Sequence, residues 1–184
     1  MSNPLPNPIH RTASWGVWVS TSALCLAAFF LGFYLWWAIT GRTDFRTELL
    51  SQLDVSQPVD AYSSWQFAVG TTLWMIVDLL GVWMLWKIRK LFVAIRWGGM
   101  FSSDTAQLLR SIGWIIFALG PLSVLSLAVA STVMNFFIAR TGFSISIGIE
   151  DTDVYAMVIG LVIVALGHIR SEEHTSELQS LTNL

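Results

Sequence analysis

"QFAVGTTLWMIVDLLGVWMLWKIRK", residues 66–90, is the stretch that decides the fold of this chain. Its first part, residues 66–86, carries one charged residue, Asp78, whereas residues 87–90 carry three basic ones. About 20 mostly apolar residues suffice for a helix to cross the hydrocarbon core of a membrane. The stretch therefore predicts a transmembrane helix that ends at a basic membrane surface. Ser63 and Gln66 form a capping-box pattern, which predicts where this helix starts.

Three further apolar blocks lie at about 14–40, 112–137 and 153–169. The chain of 184 residues is only 12% charged, about half the charged share of an average soluble domain. With 66–86, these blocks predict an all-α fold, a four-transmembrane-helix bundle over residues 14–169. Residues 1–13 contain three prolines and predict a disordered cytoplasmic tail.

Basic residues predict the orientation of the bundle. The N-terminal tail and the segment between spans two and three together hold six basic residues: Arg11, Lys87, Arg89, Lys90, Arg96 and Arg110. The other two connecting segments hold three basic residues, together with most of the acidic ones. Because cytoplasmic loops carry an excess of Lys and Arg, we expect the N-terminus, the C-terminus and the middle segment to be cytoplasmic.

The basic middle segment predicts a helical hairpin. Ile88, Leu91, Phe92 and Ile95 recur at helical spacing among basic residues, and the glycines at 98–99 interrupt the pattern. We therefore predict a cytoplasmic amphipathic helical hairpin between spans two and three. Two interpretations stay open, contact with anionic lipid or docking of a cytoplasmic protein. Five residues are predicted to make this contact: Lys87, Arg89, Lys90, Arg96 and Arg110.

Asp78 and Ser123 are predicted to form an intramembrane polar site. A carboxylate at the centre of a span costs about 2.5–3.5 kcal/mol on insertion scales. Ser123 lies at similar depth in the third span, where Pro121 leaves the carbonyl of Phe117 without its helical donor. The site is interpreted either as a neutral carboxylic acid joining two helices or as a proton-relay or ion site.

The acidic segments predict a small outer loop cap. Residues 143–149 alternate between apolar and polar side chains and predict a strand. An amphipathic stretch in the first outer segment offers four apolar residues to pair with it: Phe45, Leu49, Leu50 and Leu53. Ligand sensing by this cap is one hypothesis. Pairs of small residues four apart predict close helix packing at Ala28/Gly32, Ser126/Ala130 and Ala156/Gly160.

The cysteine and histidine residues do not form a pattern that indicates catalysis. Cys25 is the single cysteine, and neither His10 nor His168 has a second ligand at metal-binding spacing. We therefore expect no enzyme activity, no metal site and no cofactor. The net charge of -2 also gives no reason to expect direct nucleic-acid binding. The expected partner is the lipid bilayer, and an oligomer is compatible with the sequence.

Two stretches carry a family resemblance: "LWKIRKLFVAIRWGGMFSSDTAQLLRSIGW", residues 85–114, and "VYAMVIGLVIVALGHI", residues 154–169. Over about residues 70–169 the chain resembles a bacterial family of small four-span membrane proteins, domain-of-unknown-function family 2975. The resemblance implies a bacterial inner-membrane location and neither an activity nor a cofactor. Such proteins are often encoded beside a small helix-turn-helix regulator, which implies a regulatory role.

The polar run "RSEEHTSELQS", residues 170–180, matches nothing before it in the chain. Back-translated, it resembles a short-read sequencing adapter read in frame. We predict that residues 170–184 are an artefactual tail and that the natural sequence departs at about Ile169.

Together, these patterns lead to two main hypotheses of function, and a structural packing partner in a larger complex stays open as a third. The first is a regulatory or sensor protein that contacts a cytoplasmic regulator protein through the basic hairpin. The alternative is a small transporter or channel subunit that uses Asp78.

Overall fold

A computed structural model describes residues 7–40, 43–53, 58–97, 102–136 and 148–182. Within these ranges the fold is all-α and contains no strand. The helices are α1 (Asn7–Ile39), α2 (Thr43–Gln52), α3 (Ser64–Arg96), α4 (Ser103–Phe136) and α5 (Asp151–Thr182), with a short 3-10 helix at Val59–Ala61.

Four of these helices are long and apolar enough to cross a membrane. The spans are Ile9–Ile39, Ser64–Arg96, Ser103–Asn135 and Asp151–Glu172. The predicted four-span architecture is confirmed. The 33 residues of α3 make a helix of about 50 Å, which exceeds the hydrocarbon core of about 30 Å.

The four long helices pack in chain order. The extensive contacts are between α1 and α3, between α3 and α4, and between α4 and α5, so α3 and α4 form the centre of the bundle. One end of the bundle holds the last turns of α3 and the first turns of α4, with Lys87, Arg96 and Arg110, and is called the basic end below. The opposite end holds α2, the 3-10 helix, the start of α3 and the start of α5, and is called the acidic end.

The predicted disordered tail at residues 1–13 is wrong for residues 7–13, because α1 begins at Asn7. Pro8 lies in the first turn of α1. There the missing N–H of proline removes no helical hydrogen bond, and its fixed φ favours helix initiation. Residues 1–6 lie outside the described residues.

The basic segment after the second span is a continuation of α3. This helix runs without interruption from Ser64 to Arg96, and α4 begins at Ser103. The two arms of the predicted hairpin are therefore helical, and they extend directly from membrane-spanning helices. Residues 98–101, which connect the arms, lie outside the described residues.

Glycines bring α4 and α5 into backbone contact. A Cβ placed on Gly113 would lie 2.7 Å from the backbone nitrogen of Val164 and 2.8 Å from the oxygen of Gly160. Two helical turns further along α4, a Cβ on Gly120 would lie 2.7 Å from the backbone oxygen of Asp153. No side chain fits at such distances, so small residues determine how closely these helices approach.

The predicted close-packing pairs have different outcomes. Gly160 of the Ala156/Gly160 pair lies in the α4–α5 contact, and Ala130 of the Ser126/Ala130 pair is buried. By contrast, a Cβ on Gly32 would meet nothing within 4 Å among the described atoms. The prediction for Ala28/Gly32 is therefore wrong within the described part of this chain, where Gly32 does not contact a neighbouring helix.

The cap at the acidic end is helical in its described part. The predicted amphipathic stretch forms α2, and its apolar residues Phe45, Leu49, Leu50 and Leu53 are buried. It packs with Tyr62, Phe67 and Met134 in one core cluster. Burial raises the pKa of the Tyr62 hydroxyl above its usual range. Of the predicted strand at 143–149, residues 143–147 lie outside the described residues, and residues 148–149 are not in a strand.

Gln66 connects the start of α3 to the end of α4. Its Oε1 accepts hydrogen bonds from the backbone nitrogen of Ser63 at 2.8 Å and from the Ser63 hydroxyl at 2.9 Å. The predicted capping box is therefore confirmed. In addition, Gln66 Nε2 donates to the carbonyl oxygens of Val133 at 3.1 Å and Met134 at 3.3 Å. These carbonyls belong to the last turn of α4, where helical donors are missing.

Residues beyond the last apolar block continue α5 to Thr182. Continued helix gives no information on the origin of the segment, and the adapter interpretation of residues 170–184 stays a prediction.

Candidate functional site

Two of the five predicted contact residues at the basic end are used in packing within the bundle. Arg89 Nε donates to Thr21 Oγ1 at 3.1 Å and so connects α3 to α1. Arg110 is half-buried, and its Cγ lies 2.6 Å from a Cβ placed on Gly167 of α5. These two arginines hold neighbouring helices together.

The two lysines of this segment lie against tryptophans of their own helix. Lys87 Nζ is 5.6 Å from the centre of the Trp83 ring, and Lys90 Nζ is 3.8 Å from that of Trp86. Both distances permit cation–π attraction. Because Trp and Lys favour the membrane–water interface, these pairs indicate where α3 leaves the membrane.

The fifth residue, Arg96, lies at the end of α3 with its side chain exposed. Trp97 follows it and is 81% exposed. The adjacent start of α4 presents Ser103, Asp104 and Gln107 to solvent. Below, the exposed residues Arg96, Trp97, Ser103, Asp104 and Gln107 are called the hairpin tip.

The predicted contact between Asp78 and Ser123 is not present in the structure. The Ser123 hydroxyl lies 2.7 Å from the carbonyl oxygen of Gly120 and also contacts the carboxylate of Asp153 in a short hydrogen bond. Asp78 is exposed on the surface of α3. Depth along the membrane normal led to this prediction, but depth does not determine which way a side chain points around its helix.

A cavity at the acidic end lies between α2, α3, α4 and the start of α5. Its volume is about 200 Å³. Most of its lining is apolar, from Leu49, Leu53, Gly70, Leu73, Trp74, Val77, Val124, Leu127, Ala130 and Gly148. Five polar residues among those described also line it: Gln52, Ser123, Ser126, Glu150 and Asp153. We call this space the acidic-end cavity.

Hydrogen bonds fix the polar wall of this cavity. Asp153 Oδ1 contacts the Ser123 hydroxyl, and its Oδ2 accepts a hydrogen bond from the backbone nitrogen of Glu150 at 3.1 Å. Ser126 Oγ donates to the carbonyl oxygen of Ser123 at 2.8 Å. Asp153 thereby joins the first turn of α5 to α4. Among the described residues, no group of three His, Cys, Asp or Glu side chains could hold a metal ion.

Sequence reasoning missed this cavity because its walls come from four separate segments. Asp153 appears in the sequence only as one of three acidic residues before the last span, and Trp74 only as an aromatic within a span. The strongest available signal was the amphipathic stretch Phe45–Leu53, whose apolar side requires a surface to cover.

The four long apolar helices define the class of this chain, a multi-pass α-helical membrane protein. The model of one family, described as protein of unknown function (DUF2975), matches residues 48–172. This is more than half of the chain, and the chain belongs to that family. The resemblance inferred from the sequence is thus confirmed. No curated protein and no solved structure matches the chain.

Proposed function

We propose that this chain is a regulatory protein of the bacterial inner membrane whose hairpin tip contacts a cytoplasmic regulator protein. In this proposal the basic end and both termini face the cytoplasm. The observation that carries the proposal is the unbroken continuation of α3 beyond its apolar part, from Lys87 to Arg96.

The length of this continuation favours a protein partner over lipid alone. The ten residues from Lys87 to Arg96 extend about 15 Å along the helix axis. The polar interface of one leaflet is about 5–8 Å thick. For a helix near the membrane normal, the hairpin tip therefore stands clear of the lipid headgroups. The lysines paired with Trp83 and Trp86 occupy the headgroup region instead.

The chemistry of the hairpin tip favours a partner with an acidic surface and an apolar contact site. Arg96 supplies a positive charge and a planar guanidinium that can bind a carboxylate through two hydrogen bonds. Trp97 supplies a large apolar surface that is 81% exposed. Trp and Arg are enriched among the residues that contribute most to binding at protein interfaces.

Photo-crosslinking in living cells tests this proposal. We expect a photoreactive amino acid at Trp97 to give one discrete adduct with a cytoplasmic protein. The Arg96→Glu substitution in the same protein should strongly reduce the adduct, because it reverses the charge beside the crosslinker. A photoreactive amino acid at Thr43, an exposed residue at the acidic end, serves as the matched control and should not give this adduct.

Crosslinks from Trp97 to lipid alone would contradict the proposal. An adduct that persists unchanged in the Arg96→Glu variant would also contradict it, because such an adduct does not depend on the charge of the hairpin tip.

One observation favours the alternative function, a small transporter or channel subunit. Asp78 lies within the span of α3 and is exposed on the bundle surface. An ionised carboxylate facing lipid is costly. A second copy of the chain, or another subunit, would remove this carboxylate from lipid and place it in a polar pathway.

Substitution of Asp78 distinguishes the two functions. If the hairpin tip carries the function, Asp78→Leu should leave the adduct from Trp97 unchanged, because Asp78 lies within the span of α3, 18 residues before Arg96. If Asp78 lies in a transport pathway, Asp78→Asn should abolish activity, because the amide cannot exchange a proton or carry a charge. The adduct yield from Trp97, normalised to the amount of protein in the membrane, tests the first expectation, and proton or ion flux across vesicles that contain the purified protein tests the second.

A further inference from the structure

We infer that the acidic-end cavity binds a small organic ammonium ion, with Glu150 and Asp153 supplying the negative charge and Trp74 an aromatic wall. This inference goes beyond the proposed function, because the cavity lies at the opposite end of the bundle from the hairpin tip.

The shape and lining of the cavity favour a small molecule. Ligand sites are concave, mostly apolar and supplied with a few convergent polar groups. In the part of the chain that the structure describes, ten apolar or glycine residues and five polar ones line the acidic-end cavity. Its volume of about 200 Å³ corresponds to about seven water molecules in the liquid. A molecule with fewer than about ten non-hydrogen atoms therefore matches the space.

The charge of the lining determines the charge of the ligand. Glu150 and Asp153 both line the cavity, and none of the described residues in its lining is basic. Two carboxylates in a largely apolar lining favour a positively charged ligand. Each carboxylate can accept about four hydrogen bonds. The bonds from Ser123 and the Glu150 nitrogen therefore leave Asp153 able to face a cation.

The apolar wall selects an organic cation over a metal ion. A metal ion needs several oxygen ligands or retained waters, whereas most of this lining is hydrocarbon. Trp74 adds an aromatic ring, and the ring of Tyr34 lies 6.0 Å from it, centre to centre. Trp is the side chain that attracts a cation most strongly through its ring face, and quaternary ammonium groups are recognised in this way. Such groups carry methyl groups that suit the apolar wall.

Choline and its uncharged carbon analogue 3,3-dimethylbutan-1-ol provide the test. The two molecules have the same shape and differ in the charged nitrogen. Binding is measured on the purified full chain in lipid nanodiscs, by equilibrium dialysis or calorimetry. We expect choline to bind with a Kd below about 1 mM and at least about tenfold more tightly than the neutral analogue, because only choline is attracted by the carboxylates and the indole.

Variants locate the binding site. Glu150→Gln is expected to weaken choline binding by about fivefold or more, and Trp74→Leu by a similar factor, since each removes one attraction for the cation. Glu150 is exposed, so its substitution should leave folding intact. Asp151→Asn is the matched control. Asp151 follows Glu150 at the start of α5, but it is not part of the cavity lining, and choline binding should stay unchanged.

Two results would overturn the inference. The first is equal binding of choline and the neutral analogue, or no choline binding up to about 10 mM. The second is an equal loss of affinity in Glu150→Gln and Asp151→Asn, which would assign the attraction to the general charge of the surface. Either result leaves the crosslink from Trp97 unaffected, so the two proposals fail separately.

Discussion

Replacing Gly160 with leucine is expected to separate α5 from α4 and to destabilise the folded protein by about 3 kcal/mol or more. A Cβ on Gly160 would lie 2.7 Å from the carbonyl oxygen of Gly113 and 2.8 Å from the Cα of Phe117. Both atoms belong to the backbone of α4 and cannot rotate away as a side chain does. The helices must therefore move apart, and the neighbouring contacts at Gly113 and Gly120 are lost with them.

Unfolding by SDS in mixed micelles, followed by tryptophan fluorescence, measures this effect. Gly32→Leu is the matched control, because a Cβ on Gly32 meets nothing within 4 Å among the described atoms. In that variant we expect a change within about 0.5 kcal/mol, or a small gain from the better helix propensity of leucine. Equal stability of the Gly160→Leu variant and the unchanged protein would show that the α4–α5 contact is not as close as described.

Replacing Gln66 with leucine should also have a large effect, a destabilisation of about 2–4 kcal/mol. Leucine has a side chain of similar size. It can neither accept a hydrogen bond from Ser63 nor donate one to the carbonyls of Val133 and Met134. Gln66 is 2% exposed, so water cannot readily replace these partners. The buried polar groups left without partners are the physical cause of the loss.

Heating the detergent-solubilised protein and then measuring the fraction that stays folded and unaggregated, by size-exclusion chromatography, determines this loss of stability. Gln107→Leu is the control, because Gln107 is exposed on α4, and substitutions of this kind change stability by less than about 0.5 kcal/mol. If the two variants unfold at the same temperature, the connection between α3 and the last turn of α4 does not contribute to stability.

Features set by spacing along one helix could be predicted from the sequence. The length of each apolar run predicted the four spans. Phe45, Leu49 and Leu53 lie four residues apart, and this helical spacing predicted an amphipathic stretch, whose apolar side is buried on α2. Capping of α3 by Gln66 was predictable because Ser63 is only three residues away.

Features that depend on which helices are neighbours could not be predicted. The bond from Gln66 to Met134 joins residues 68 positions apart. Gly32 and Gly160 both belong to small-residue pairs in apolar helices, yet only Gly160 contacts another helix. The candidate site illustrates the same limit. Ser123 contacts Asp153 at the start of α5, a partner determined by the rotation of α4 about its own axis.

The packing of the long helices in chain order has a consequence for biosynthesis. Each long helix after α1 packs against the long helix directly before it in the chain, so every interface can close as soon as the next long helix is inserted. Contacts between nearby segments favour fast folding, and chains assemble from the N-terminus during synthesis. During synthesis, each long helix can therefore begin to pack once the next long helix has been made, before the rest of the chain is complete.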